Sequence, residues 1–275
     1  MLDTGPRAIV FLLITIISIL LYSIATGLIS SRLFHQDGPK VTLSRSVAII
    51  AVVLHGIELV NEVVLQGGQN LSITNVASII AWIMAATITA SAFGITPVFL
   101  MPMVYGFAAL ILAMNTIIPA MYMIHIELQP SLLIHISLAL FAYGTLMISV
   151  LYTIQFSYIN YRLKHIRASI LHSSLPPIMR VERTLFRILL IGTALLFLSL
   201  ATGFIFLDDM LAQKQAHKTI LSVISFFIFA GVWIGHKFMG WRGNGMVAAT
   251  FVGALILTMA YFGSRIVKEV ILTGA

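Results

Sequence analysis

The sequence predicts an all-α fold, a polytopic integral membrane helix bundle of about eight transmembrane helices with both termini outside, and three observations carry that prediction. Hydrophobic residues make up 60% of the 275 and charged residues only 9%, against roughly 45–50% and 25% in soluble domains. Apolar runs of about 20 residues, the length that crosses a hydrocarbon layer of about 30 Å, recur along the whole chain. The basic residues collect in alternate connectors between those runs. A single transmembrane domain over residues 1–275 is the expectation.

Apolar runs and their breaks place helices near 8–30, 43–66, 73–92, 97–120, 131–158, 184–207, 217–236 and 246–270. The first run is too long for the apolar part of a signal peptide, and its small-residue triplet Ala25-Thr26-Gly27 lies inside the run rather than after it. It therefore stays as a helix. Gln66-Gly67-Gly68-Gln69-Asn70 breaks the chain after the second helix, and Pro130 breaks it before the fifth. Both breaks read as outer connectors. The longest connector, 158–183, carries Ser173-Ser174-Leu175-Pro176-Pro177 and reads as a cytoplasmic loop with one helical extension.

Short cytoplasmic loops retain Lys and Arg. The connectors after helices 1, 5 and 7 hold eleven of the sixteen: Arg32, Lys40, Arg45, Arg162, Lys164, Arg167, Arg180, Arg183, Arg187, Lys237 and Arg242. Arg7, Lys214, Lys218, Arg265 and Lys268 fall on the other side. Both termini then face outward, to the periplasm of a multi-pass protein in a bacterial inner membrane. The net charge of +7 is spent on this threading rather than on one basic face, so no nucleic-acid partner is expected. With no cysteine in the chain, disulfides, thiolate catalysis and cysteine-bound metals are excluded, and any metal must be held by His, Met, Tyr or carboxylate.

Among eight histidines, His35, His165 and His172 fall in basic connectors and His125 in an outer one, where a solvated side chain is the ordinary explanation. His236 ends helix 7, where an imidazole caps carbonyls and meets the helix dipole. His55 lies in the middle of helix 2, with Glu58 and Glu62 at i+3 and i+7 on the same face. Such intramembrane groups are either functional or hydrogen-bonded between helices.

His135, five residues after Pro130, and His217, at the start of helix 7, reach the outer surface from different helices. Two such nitrogens suit the axial positions of one haem iron, unless the two are unrelated interfacial residues. Arg265 and Lys218 lie on the same side, where they would meet haem propionates or snorkel to the interface. The thirteen methionines are not spaced as a copper site, and the chain has no Ser-His-Asp elbow, HExxH or P-loop, so no enzyme is expected.

Several blocks carry a resemblance. His217-Lys218-Thr219-Ile220-Leu221-Ser222, Gly240-Trp241-Arg242-Gly243, and Ala260-Tyr261-Phe262-Gly263-Ser264-Arg265 with Glu269 resemble the cytochrome c assembly membrane-protein family, in its YpjD/HemX branch rather than its haem-lyase subunits. Leu54-His55-Gly56, the stretch around Trp82, Leu133-Ile134-His135 with Ala142-Tyr143, and Leu175-Pro176-Pro177 followed by Glu182-Arg183 agree with it. The resemblance spans about residues 50–271.

It implies haem handling at the outer face, and His135 looks like the family's first external histidine. The tryptophan-rich loop of its haem-handling members is missing, because Trp82, Trp233 and Trp241 are the only tryptophans. The family's histidine within helix 7 would fall near Ile234, two residues from His236, and the last helix is followed by no external histidine. These departures argue against direct attachment of haem to an apocytochrome.

The expected function is a haem-binding membrane protein that holds haem b through His135 and His217, with His55 as a deeper alternative ligand and Arg265 and Lys218 beside it. The expected partners are membrane lipid, haem, and another membrane or periplasmic protein. Two other readings stand beside it: a small-solute permease with His55, Glu58 and Glu62 as its polar path, and an accessory protein that contacts a partner through 158–187.

Overall fold

The structure is a computed structural model that describes residues 6–33, 35, 38–65, 72–91, 98–117, 130–165, 177–206 and 216–263. Among the described residues there are eight long helices and no strands. These are α1 (Pro6–Ser30), α2 (Val41–Val60), α3 (Ile73–Ser91), α4 (Leu100–Ile117), α5 (Pro130–His165), α6 (Ile178–Phe206), α7 (Ala216–Met239) and α8 (Asn244–Thr258). Each of them, with α8 counted through Gly263, is long and apolar enough to cross a membrane. The all-α, eight-span membrane bundle read from the sequence is the fold.

The helices group into two compact units, Met1–Ile126 and Glu127–Ala275. In unit 1, α1 packs on α2 and α4, and α3 packs on α2 and α4. Small residues sit where backbones approach: Ala25, Ala48, Ala51, Ala81, Ala85 and Ala108 are all fully buried. Between helices already in lipid, association rests on close packing and on hydrogen bonds that cross the interface. Ser44 donates to the Ala25 carbonyl at 2.8 Å, and the Trp82 indole donates to the Val52 carbonyl at 2.8 Å while lying against Gly56. The outward side chains of α1, Ile9, Val10, Leu12 and Leu13 among them, are exposed, as a lipid-facing surface requires.

Unit 2 is a ring of four antiparallel helices, α5 on α6, α6 on α7, α7 on α8 and α8 on α5. Gly192 marks the tightest approach, since a Cβ there would stand 2.8 Å from Leu146 Cγ and 3.2 Å from the Leu146 backbone nitrogen. Ser225 donates to the Gly253 carbonyl at 3.0 Å, which ties α7 to α8, and the Tyr143 and Thr258 hydroxyls meet at 3.0 Å between α5 and α8.

Two boundaries and the form of two helix endings differ from the sequence expectation. The connector expected over 158–183 is shorter, because α5 runs on to His165 and α6 starts at Ile178. Arg162, Lys164, Arg180 and Arg183 are thus helical, their long stems carried on helix ends rather than in a loop. Helices α2 and α8 each finish in a π-helical turn, Asn61–Leu65 and Met259–Gly263. No composition signal marks such turns, which insert one residue into the helical ladder and recur at functional sites.

Candidate functional site

His135 lies in the second turn of α5, which Pro130 opens with a backbone angle already suited to a helix. Its side chain is half-buried, and its Nδ1 lies 2.8 Å from the Ser199 carbonyl of α6. A carbonyl only accepts, so the ring proton sits on Nδ1 and the lone pair on Nε2. This is the arrangement of a metal-ligating histidine whose other nitrogen is oriented by a backbone acceptor. The residues present therefore fit an axial haem ligand at this position.

His217 is the second residue of α7 and is exposed. The start of α5, the end of α6, the start of α7 and the end of α8 share one end of unit 2, so His135 and His217 belong to the same end. Phe197 of α6 faces Phe226 of α7 with ring centres 5.7 Å apart, which fixes the register of that antiparallel pair. By that register His217 stands seven residues, about 10 Å along the axis, nearer the helix ends than the level of Ser199 and His135. Lys218, half-buried, adjoins His217. Arg265, the other expected propionate partner, lies outside the described residues. The π-turn of α8 occupies the same end, and its Tyr261 and Phe262 pack on Tyr143 with ring centres 5.0 and 5.7 Å away.

His55 is in unit 1 and has no exposed surface. Its Nδ1 is 3.4 Å from the Tyr22 hydroxyl of α1 and its Nε2 is 2.9 Å from the Ser78 hydroxyl of α3. Both ring nitrogens thus face hydroxyls across helix interfaces. Tyr22 also stacks on Tyr105 of α4, whose hydroxyl is 2.9 Å from Thr89 Oγ1. Glu58, one turn on from His55, is 4% exposed. These partners escaped the sequence reading because they depend on inter-helix register; the one signal was a polar residue in each of four apolar runs.

The opposite end of unit 2 carries a second polar group. Glu182 of α6 is buried, with Arg242 Nε 2.9 Å away and His236 Nδ1 3.8 Å away. The His236 Nδ1 donates to the Trp241 carbonyl at 3.1 Å while its ring stacks on Phe186 at 3.3 Å between centres. The capping role expected for His236 is found here, on a carbonyl just beyond the helix. Gly240 and Gly243 have φ of +66° and +85°, so the Gly-Trp-Arg-Gly block turns the chain back and sets Arg242 against Glu182.

His35 is exposed, whereas His125, His172 and the side chain of His165 lie outside the described residues. Among the described residues no three His, Asp or Glu side chains gather as a metal site, which leaves pairs as the available ligand sets. An apolar groove of about 620 Å³ opens in unit 1 between Phe11, Val53, Gly56, Val60 and Trp82, and no histidine lines it. It offers a bound haem no axial nitrogen.

The chain is similar to known proteins over most of its length. It is 37% identical to the inner membrane protein YpjD of Escherichia coli (strain K12) over 258 residues, covering 93% of this chain and 98% of that protein. An uncharacterized 28.8 kDa protein of Azospirillum brasilense is 30% identical over 141 residues, half of this chain and 52% of that protein. No solved structure matches it. The model of the cytochrome C assembly protein family matches residues 41–272, and the chain belongs to that family.

Proposed function

We propose that this is a multi-pass protein of the bacterial inner membrane that holds a b-type haem near its outer face, with His135 and His217 as axial ligands and both termini outward. The observation that carries the reading is the His135 Nδ1–H bond to the Ser199 carbonyl, which leaves Nε2 ready to bind iron. Membership of the cytochrome c assembly family supports a haem-handling role, and the name of the Escherichia coli relative supports the location.

His217 supplies the second nitrogen from the same end of unit 2, nearer the aqueous boundary, and so sits on the entry side of the site. Lys218 and Arg265 are the cations for the propionates. His55, with a hydroxyl on each ring nitrogen, remains the deeper alternative and would have to leave one of them to reach iron. A bound haem would supply an iron that moves between ferric and ferrous states. The chain's own part is to hold two imidazoles neutral and oriented, so acidification that protonates them releases the haem. Lipid surrounds both units, and the outer face is where another membrane or periplasmic protein would meet the haem.

The test is a reduced-minus-oxidised absorption spectrum of the purified protein after haem supply. A Soret band that disappears in the His135→Ala, His217→Ala double variant and on acidification is the expected result. No Soret band, or one that the double variant leaves unchanged, overturns the proposal.

A further inference from the structure

We infer that unit 1 holds an exchangeable monovalent cation, a proton or a sodium ion, at the buried Glu58 carboxylate. Glu58 is 4% exposed, its Oε2 is buried with no hydrogen-bond partner, and among the described residues no ion pair reaches it. A carboxylate at membrane depth without a compensating group is a costly arrangement that segments of this kind keep only for a use.

Among the described residues the surrounding helices supply no fixed cation. Helix α3, from Ile73 to Ser91, contains no ionisable residue. Helix α1 offers Tyr22, held against His55, and at its start Arg7, whose side chain lies outside the described residues. Tyr105 is the only titratable residue of α4, and its hydroxyl is engaged by Thr89. On α2 itself His55 and Glu62 are one turn away on either side, and the basic residue preceding them, Arg45, is thirteen positions back, about 20 Å along the axis. Glu62 adds negative charge, not compensation.

The surroundings do supply oxygen. The contacts of His55 with Ser78 and of Trp82 with Val52 pair α2 and α3 antiparallel, and that register sets Glu58 level with Asn75. The Asn75 side-chain oxygen accepts from the Asn115 amide of α4 at 3.0 Å, so an amide pair lies at the carboxylate's depth. The π-turn Asn61–Leu65 begins three residues on, at the end of α2 away from Lys40 and Arg45, and carries Glu62. The cation therefore enters from the Glu62 end, neutralises Oε2 and leaves by the same route; no bond other than O–H or the sodium–oxygen contact is made or broken. Farther in, His55, Ser78 and Tyr22 form the hydrogen-bonded continuation of the site. Glu58 is not among the proposed haem ligands, so the test is run on haem-free protein and its outcome is independent of the haem proposal.

Infrared difference spectra of the full chain in lipid nanodiscs test it, in two arms. One arm steps the pH with choline chloride as the only salt; the other exchanges choline for sodium at constant pH and ionic strength. For a proton, a protonated-carboxyl band appears in the first arm; for sodium, a carboxylate band shifts in the second. In either case the band is lost in Glu58→Gln and kept in Glu62→Gln. Should Glu58→Gln fail to fold, a displaced band in Glu58→Asp makes the same assignment. Absence of a response in both arms, or a band that belongs to Glu62 alone, overturns the inference.

Discussion

At His135 the ring proton is committed to the Ser199 carbonyl, and at His236 the corresponding proton is committed to the Trp241 carbonyl. The two histidines do different work because of what else meets each ring. His236 is flat against Phe186 and within 3.8 Å of Glu182, a position that holds a helix end in place. His135 has no ring stacked on it among the described contacts. The Glu182–Arg242 pair is asymmetric, with a buried carboxylate and an arginine 60% exposed. Removing the arginine leaves the buried charge behind, whereas removing the charge leaves an arginine that water solvates. Arg242→Met should therefore destabilise the protein by about 1–3 kcal/mol, and Glu182→Gln by less, with part of the loss restored in the double variant. Thermal unfolding in detergent checks the order; equal losses, or the reverse order, contradict it. As candidates, His135, His217 and Glu58 stand out in the sequence, because threading and helix spacing single them out. The Ser199 carbonyl that meets His135, the Ser78 hydroxyl that meets His55 and the Asn75 level with Glu58 do not, since a lone polar group in an apolar run looks the same whichever neighbour it meets.

Along each element, the sequence showed length and span well and showed endings poorly. Apolar runs mark where lipid begins and ends, but helix backbone continues into water wherever nothing stops it. That is how α5 reaches His165 past Arg162 and Lys164. The π-turns of α2 and α8 depend on one inserted residue, and Val, Leu, Met and Phe within them read as ordinary helix. Close packing is similarly hidden: Gly192 and Gly231 look alike in sequence, yet only Gly192 faces atoms within 4 Å, on Leu146 of α5. Gly192→Ala should cost about 1–3 kcal/mol from overpacking. Gly231→Ala should be neutral or slightly stabilising through higher helix propensity. Melting temperatures of the two variants decide this, and a Gly192→Ala protein as stable as the parent would contradict the packing described.

At the level of the whole molecule, the distribution of Lys and Arg sets the proposed orientation, with the starts of α1, α3, α5 and α7 outward. The chain has no cysteine, so single cysteines report cleanly. Ala216→Cys should react with a membrane-impermeant maleimide on intact cells from which the outer membrane barrier is removed, and Asn244→Cys only after the inner membrane is opened. The opposite pattern would invert the topology and move His135 and His217 to the cytoplasmic face. Family membership was legible from short blocks spread over the chain, and the Gly-Trp-Arg-Gly block proves to be a structural turn held by Glu182 and His236. That turn lies at the end of unit 2 opposite the proposed haem site.

If one iron takes a nitrogen from α5 and a nitrogen from α7, low-temperature electron paramagnetic resonance of the oxidised, haem-loaded protein reports both at once. The expected low-spin signal of two imidazole ligands turns high-spin in His135→Ala and, separately, in His217→Ala, while His55→Ala leaves it in place. A low-spin signal that survives either of the first two substitutions, or is lost only with His55, would contradict that pairing.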